Sequence, residues 1–298
     1  MDTNKHMTRR EALKTMGTIV ATAALATTGL SSFSAPVKKD DKTKKRLVFY
    51  FTATGNSLYV ARAFSGELVS IPQALKEEML EYEADEIGFV FPDYAASAPL
   101  IVREFVEKAR LKAPYIFSVI TFGNFAANVA EWWDDFCRQK GVSNQYVNTL
   151  LMVDNYLPVF DMNEQVKIDK HIPENLAQIV NDVEAHREFI SHADVNEQMQ
   201  GFLKRLQDEH FPMEVERLLK LNADACIACG TCAQVCPHGN FKVTEEAVEF
   251  KGVCEYCLAC VHACPQKALT LARGERNPQA RFRNENVSLG DIKKANQQ

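Results

Sequence analysis

Eight of the nine cysteines fall into two runs of one pattern. Cys226, Cys229, Cys232 and Cys236 precede Pro237, and Cys254, Cys257, Cys260 and Cys264 precede Pro265, 28 residues further on. Both runs read C-x2-C-x2-C-x3-C-P, the spacing with which thiolates hold [4Fe–4S] clusters. The chemistry this implies is one-electron transfer. Zinc also takes C-x2-C pairs, but usually two pairs across a longer spacer rather than three cysteines in tight succession. Eight neighbouring cysteines in this register would be a poor framework for separate disulfides. A second group has different chemistry: Thr52-Ala53-Thr54-Gly55-Asn56-Ser57 places three hydroxyls and a glycine in six residues. It lacks the lysine of a nucleoside-triphosphate loop, and hydroxyls without a cation suit a monophosphate held for good.

The cysteine pattern resembles that of bacterial two-cluster ferredoxins, over about residues 222–272. In those proteins the fourth cysteine of each run serves the other cluster. The resemblance therefore implies one cluster on Cys226, Cys229, Cys232 and Cys264, and a second on Cys254, Cys257, Cys260 and Cys236. Crossed ligands would make cluster assembly part of folding.

The elements that must position the hydroxyl loop read as an alternation of apolar runs and helical patterns, which predicts a parallel sheet flanked by helices. Strands are expected at 47–51, near 67–71, at 87–91, 115–121 and 149–154. Helices are expected from 58, over 98–111 and 130–140, and from 173 to 190. The loop lies between the first strand and the first helix, where backbone N–H groups and a helix N-terminus face an anion. Gly55 is expected to let the backbone come close.

In that setting T-A-T-G-N-S resembles the FMN phosphate loop of the flavodoxin family, a doubly wound α/β fold with strand order 2-1-3-4-5. Both segments in one chain resemble the flavodoxin–ferredoxin fusion proteins of anaerobic bacteria. V-F-P-D-Y (90–94), D-N-Y (154–156) and F-R-N-E-N-V-S-L (282–289) look like the same family. The resemblance implies that Thr52, Thr54, Gly55, Asn56 and Ser57 hold the FMN phosphate. It places Tyr94 and Thr121, Phe122, Gly123, Asn124 and Phe125 at the isoalloxazine, where aromatic faces tune a flavin; ordinary loop packing would use the same aromatics. No tryptophan follows the third strand, unlike classical flavodoxins, which would leave one flavin face more open. Trp132 and Trp133 are expected in the core or at a domain interface.

The start of the chain reads as an export signal. Arg9-Arg10 precede a weakly apolar stretch at 16–30, shorter than the ~20 residues of a bilayer span and followed by small residues. Paired arginines there resemble a twin-arginine signal, with cleavage expected after Ser34; an uncleaved anchor is the alternative. That route carries folded proteins, as iron–sulfur proteins loaded in the cytoplasm require. The expected location is periplasmic or exported, and otherwise cytoplasmic. Losing the four basic and two acidic residues of 1–34 would take the net charge from −5 to −7. An acidic chain with no basic patch beside its motifs argues against a nucleic-acid partner, and no stretch of the mature chain is apolar enough to span a membrane.

The expected organisation is a signal at 1–34, a linker at 35–45, a flavodoxin-like domain at 46–194, a helical linker at 195–221 interrupted by Pro212, a small α+β ferredoxin domain at 222–273 and a polar tail at 274–298 that is loose or lies along the first domain. Cys137 is expected as a buried thiol, and His238 and His262 as solvated surface histidines, the alternative being that a protonated ring beside a cluster raises its potential. Three functions fit: an exported carrier passing electrons between two [4Fe–4S] clusters and FMN, with a redox protein or small molecule as partner; an FMN-dependent reductase of a quinone, nitro compound or corrinoid; or a ferredoxin with a non-flavin docking domain. No catalytic acid or base is legible.

Overall fold

Three runs rich in β-branched and aromatic residues, at 46–50, 86–91 and 115–121, are buried on both faces, as central parallel strands under helices must be. The computed structural model describes residues 44–208, 213–244 and 247–298; the expected signal segment and Pro212 lie outside the described residues. Strands β1 (Arg46–Tyr50), β2 (Glu67–Ser70), β3 (Glu86–Pro92), β4 (Tyr115–Phe122), β5 (Tyr146–Leu151) and β6 (Phe189–Ile190) form one parallel sheet in the order β2-β1-β3-β4-β5-β6. This is the expected flavodoxin-like 2-1-3-4-5 order with a two-residue edge strand added.

Alternate side chains leave each strand on opposite faces and build two cores. One face carries Phe49, Phe51, Ile87, Phe89 and Phe91 against Phe105 and Trp133. Ring centroids lie 4.8 Å apart for Phe49 and Phe105 and 4.6 Å for Phe91 and Trp133. Each fully buried ring contributes about 1.5–3 kcal/mol, so these aromatics dominate that layer. Trp133 also donates its indole N–H to Ser118 Oγ at 2.8 Å, and Cys137 is buried beside it, its thiol pushed up to about 12 by burial. The other face carries Val48, Tyr50, Val90, Phe117 and Val119, and this core runs on into the C-terminal part through Leu218, Val235, Phe241, Val261 and Leu269.

Helices α1 (Asn56–Ala61), α2 (Leu100–Lys108), α3 (Val129–Gln139) and α4 (Ile172–Glu184) flank the sheet. Three boundaries differ from expectation. The fifth strand begins at Tyr146, because Tyr146 and Val147 are buried and pair with Phe117 and Ser118, and it ends at Leu151, leaving 152–154 as loop. Helix α4 stops at Glu184, and Phe189–Ile190 pairs with Tyr146–Val147 instead of continuing it. Helix α2 stops at Lys108, where Arg110–Lys112 turns to pair with Glu81–Glu83. At the N-terminal edge of the sheet, β1 and β3 place Arg46 opposite Glu86. The buried Glu86 carboxylate pairs with Arg46, Lys44 and His186, and Arg46 also reaches Glu184 at 2.6 Å.

After helix α5 (Glu197–Asp208) the chain forms a small lobe. Leu219–Leu221 pairs with Leu269–Leu271, Phe241–Val243 with Val248–Phe250, and Met213–Glu214 with Val253–Cys254. The pieces before residue 222 therefore belong to this lobe's ladders and not to a free linker. The tail is ordered: residues 274–288 run back across the large lobe and helix α6 (Leu289–Asn296) packs there, started by a capping box between Ser288 and Asp291. All described residues fall in one compact unit.

Candidate functional site

The two cysteine runs wind alike. Ala228 and Tyr256, 28 residues apart, each precede the second cysteine of a run in left-handed backbone, and Gly230 and Leu258 each follow it in the same conformation. A left-handed residue costs a non-glycine side chain about 1–2 kcal/mol, so a repeated pair of them marks a turn the site requires. It coils the loop so that three cysteines face one point. The fourth cysteine of each run is held by its own turn: Cys236 Sγ accepts from Asn240 N at 3.4 Å and Cys264 Sγ from Ala268 N at 3.2 Å.

Four cysteines surround each of two cavities. Cys226, Cys229, Cys232 and Cys264 line one, beside Ile227 and Val248. Cys236, Cys254, Cys257 and Cys260 line the other, beside Phe241 and Leu258. Each set takes three cysteines from one run and the fourth from the other. Among the described residues no three His, Cys, Asp or Glu side chains converge tightly enough for a single metal ion; what the thiols offer is two cages.

A larger cavity of about 590 Å³ lies at the C-terminal ends of the sheet strands, within the range of small-molecule sites. Thr52, Thr54, Asn56 and Ser57 line one end, and Tyr94 and Thr121, Phe122, Gly123, Asn124 and Phe125 line the walls. Two of the three hydroxyls act as acceptors within the fold. Thr52 Oγ1 accepts from Gly55 N at 3.1 Å and Thr54 Oγ1 accepts from Asn155 Nδ2 at 2.7 Å, which leaves each hydroxyl proton to be donated elsewhere. Ser57 Oγ lies 2.9 Å from Thr121 Oγ1, tying the loop to β4. No side chain caps the start of α1, so its first N–H groups remain orphan donors.

Gly55 has a different reason from the expected one. Its φ is +103°, and a Cβ there would fall 2.9 Å from Val287 Cβ and 3.0 Å from Asn284 Cβ. The glycine makes room for the C-terminal tail behind the loop and does not line the cavity. Gly123 does face the site, where a Cβ would meet the Asp154 carboxyl at 2.3 Å. That closeness lets Asp154 Oδ2 accept from Asn124 Nδ2 at 2.7 Å, while the buried Lys170 donates to Gly123 O at 2.6 Å. Burial pushes the Asp93 carboxyl up to about 8, although the N–H of Ser97 donates to it and pulls the other way. Two acids, Asp93 and Asp154, thus border the cavity.

The small lobe closes the remaining side. Glu255, Tyr256, Cys257, Leu258 and Arg273 line the same cavity, and Arg273 donates to Tyr156 OH at 3.1 Å. Glu255, Tyr256, Cys257 and Leu258 also line the second cage, so these four residues form the wall between the two spaces, and Cys257 is the cysteine among them. Glu255 is the seam's buried anchor. Its Oε1 accepts from Ile101 N at the start of α2 at 3.1 Å, and its Oε2 pairs with His238 Nε2 at 3.0 Å. A carboxylate suits a helix N-terminus.

Both histidines depart from the expected solvated surface. His238 is half-buried against Glu255. His262 is buried, donates from Nε2 to Asn155 O at 2.9 Å and accepts from Phe282 N on Nδ1 at 3.0 Å. These partners fix the neutral tautomer, and burial pushes the ring down to about 4. Sequence reasoning missed Asn155, Glu255, Tyr256, Arg273, Asn284 and Asn296; the one signal was the D-N-Y and F-R-N-E-N-V-S-L segments.

Residues 219–242, which contain the first cysteine run, match the model of the 4Fe-4S binding domain. The chain is 47% identical over 47 residues to a component of an ion-translocating oxidoreductase complex of Methanosarcina acetivorans, covering 15% of this chain and 18% of that protein. It is 40% identical over 52 residues to the polyferredoxin protein MvhB of Methanothermus fervidus, covering 17% and 13%. The chain thus spans less than a fifth of either relative. Among solved structures it is similar to a putative flavoprotein from Bacteroides uniformis (TM-score 0.27, 16% identity, 36% of this chain and 90% of that one). Another, from Bacteroides eggerthii, gives TM-score 0.28 and 17% identity over 44% and 98%. The flavodoxin-like fold rests on the strand order, and the iron–sulfur ferredoxin domain on the matched residues.

Proposed function

We propose that this protein is an exported electron carrier in which two [4Fe–4S] clusters exchange electrons with one FMN. The observation that carries the reading is the position of Cys257, a side chain shared by a four-cysteine cage and the cavity under the hydroxyl loop. Electron transfer falls off steeply with distance, and a cluster ligand in the partition puts the cluster's own sulfur in the wall of the flavin cavity. A flavin exchanges electrons singly or in pairs and each cluster singly, so the pairing lets two-electron chemistry meet one-electron carriers.

The residues present fit both groups. Cys226, Cys229, Cys232 and Cys264 would hold one cluster; Cys236, Cys254, Cys257 and Cys260 would hold the other. Thr52, Thr54 and Ser57 would donate to the FMN phosphate, with Asn56 and Gly55 shaping the loop. Tyr94 and residues 121–125 would flank the ring, with Asn124 held by Asp154. Cys229 is exposed and Ile227 beside it is 60% exposed, which makes the first cage the port for an external redox partner. Glu255, Tyr256 and Leu258 exclude water from the partition between the second cage and the flavin. The paired arginines before a weakly apolar stretch support export, and no helix among the described residues is long and apolar enough to cross a membrane.

A reductase acting on a small acceptor is the second reading, favoured by the half-exposed Phe125 on the cavity wall, where an acceptor could reach the ring. Cofactor content tests the main reading: iron, sulfide and released flavin are measured per chain after purification and reconstitution without oxygen. About eight iron, as two four-iron clusters require, with one FMN is expected. Eight iron with no flavin under any condition would overturn it.

A further inference from the structure

The back of the hydroxyl loop is held by residues from the far end of the chain. Asn296 is fully buried, and its Nδ2 donates to Thr52 O at 2.8 Å. Asn284 donates from its backbone N to Thr54 O at 2.8 Å and from Nδ2 to Asn56 Oδ1 at 3.2 Å. Val287 is fully buried against Gly55, where a Cβ would fall 2.9 Å from the Val287 Cβ. Ser70 Oγ donates to Ala295 O at 2.6 Å, and Arg62 pairs with Asp291 at 2.9 Å. None of these tail residues lines the cavity. They grip the loop from behind while its hydroxyls face inward.

We propose that Asn284 and Asn296 are positioning residues of the anion end of this cavity, setting its preference for a ligand carrying a phosphate. This rests on the flavin reading above. The argument is one of bond polarity. A donor into the Thr54 carbonyl strengthens the N–H of the same peptide, which belongs to Gly55. That N–H donates to Thr52 Oγ1, and the Thr52 hydroxyl proton is left for the ligand. Asn296 anchors the neighbouring Thr52 carbonyl, and the Asn284 side chain fixes Asn56, whose own Nδ2 donates to Val153 O at 3.1 Å on the opposite wall. The Asn284 backbone bond therefore sets the strength of the Gly55 donor, and the Asn284 and Asn296 side chains set the direction of the loop that carries it. Two residues before Asn284, the Phe282 N–H holds His262, so the same strap also touches the helix carrying Cys260.

The test compares FMN with riboflavin, which lacks the phosphate, on the full chain loaded with clusters. Dissociation constants come from flavin fluorescence for the wild type, Asn284→Ala and Asn296→Ala. The wild type is expected to prefer FMN. Each variant removes one side-chain bond to the loop, from Asn284 Nδ2 to Asn56 Oδ1 or from Asn296 Nδ2 to Thr52 O, while the Asn284 backbone bond to Thr54 O remains; each is expected to lose about tenfold in FMN affinity, equal to about 1.4 kcal/mol and the size of one hydrogen bond. Riboflavin affinity should stay within about twofold, because only the phosphate end is disturbed. Variants that keep the wild-type FMN-to-riboflavin ratio, or weaken both ligands equally, would overturn the assignment. A wild type that binds neither flavin would overturn the flavin reading instead, and this assignment with it. Iron content and thermal melting check folding; if the buried Asn296→Ala fails them, Asn284→Ala decides alone.

Discussion

Cys257 and Asp93 face the same cavity from opposite lobes, and each gives the site a separate property. Cys257 sets the distance between the cage and the cavity. Asp93 sets part of the cavity's charge, because its carboxyl is held up to about 8 by burial. An acid with a raised value is neutral below it and charged above it. We therefore expect affinity for the anionic FMN to fall as pH rises through about 8, where a new charge joins Asp154 at the wall. Asp93→Asn should bind FMN like the wild type at pH 7 and show a flat profile to pH 9, read by fluorescence titration; an unchanged pH profile in the variant would sink this account. Cys257→Ala should lose about four of eight iron, as one four-iron cluster requires, and retain FMN; loss of all eight would show that the cages do not assemble independently. The cysteines and hydroxyls were legible in the sequence because their spacing is local. Glu255, His262 and Asn296 were not. Their partners Ile101, Asn155 and Thr52 lie 154, 107 and 244 residues away, and no local pattern encodes such a pairing.

At the scale of elements, β1 is anchored at both ends. Its C-terminal end opens into the hydroxyl loop, and its N-terminal end buries Arg46 against Glu86. Burial pushes the Glu86 carboxyl up, but hydrogen bonds from Arg46, Lys44 and His186 more than offset this and hold it below its ordinary value. A lowered carboxylate stabilises the fold above its unfolded-state value, near 4.5, and that contribution is lost as pH falls through the folded one. Glu86→Gln should cost about 3–5 kcal/mol in urea unfolding, since it removes the buried carboxylate on which Arg46, Lys44 and His186 converge, and should flatten the acid limb of stability against pH. A cost below about 1 kcal/mol would mean the cluster behaves as a surface pair. Alternating apolar runs predicted the parallel sheet and the resemblance to flavodoxins its strand order, and β1, β3 and β4 lay where hydrophobicity put them. The start of β5 and the end of α4 did not, because one edge decides both: Phe189–Ile190 leaves the helical pattern to cover Tyr146–Val147.

The whole molecule joins two folds through a shared core, a buried carboxylate and a tail that grips both. The core around Phe117 continues into Leu218 and Val261, Glu255 starts α2, and the strap reaches His262 and the hydroxyl loop. Such coupling predicts a single cooperative thermal transition for the cluster-loaded protein. Glu255→Ala strands the Ile101 N–H and leaves His238 unpaired, and should split that transition in two by calorimetry. A single unshifted transition in the variant would show that the seam is not held there. The most direct test of the central claim, a flavin next to the cage that Cys257 completes, is low-temperature electron paramagnetic resonance of the loaded protein poised part-way through a reductive titration. The account predicts that the signal of the cluster on Cys236, Cys254, Cys257 and Cys260 is split or broadened by the half-reduced flavin, and that the other cluster's signal is less affected. Two cluster signals indifferent to the state of the flavin would contradict it.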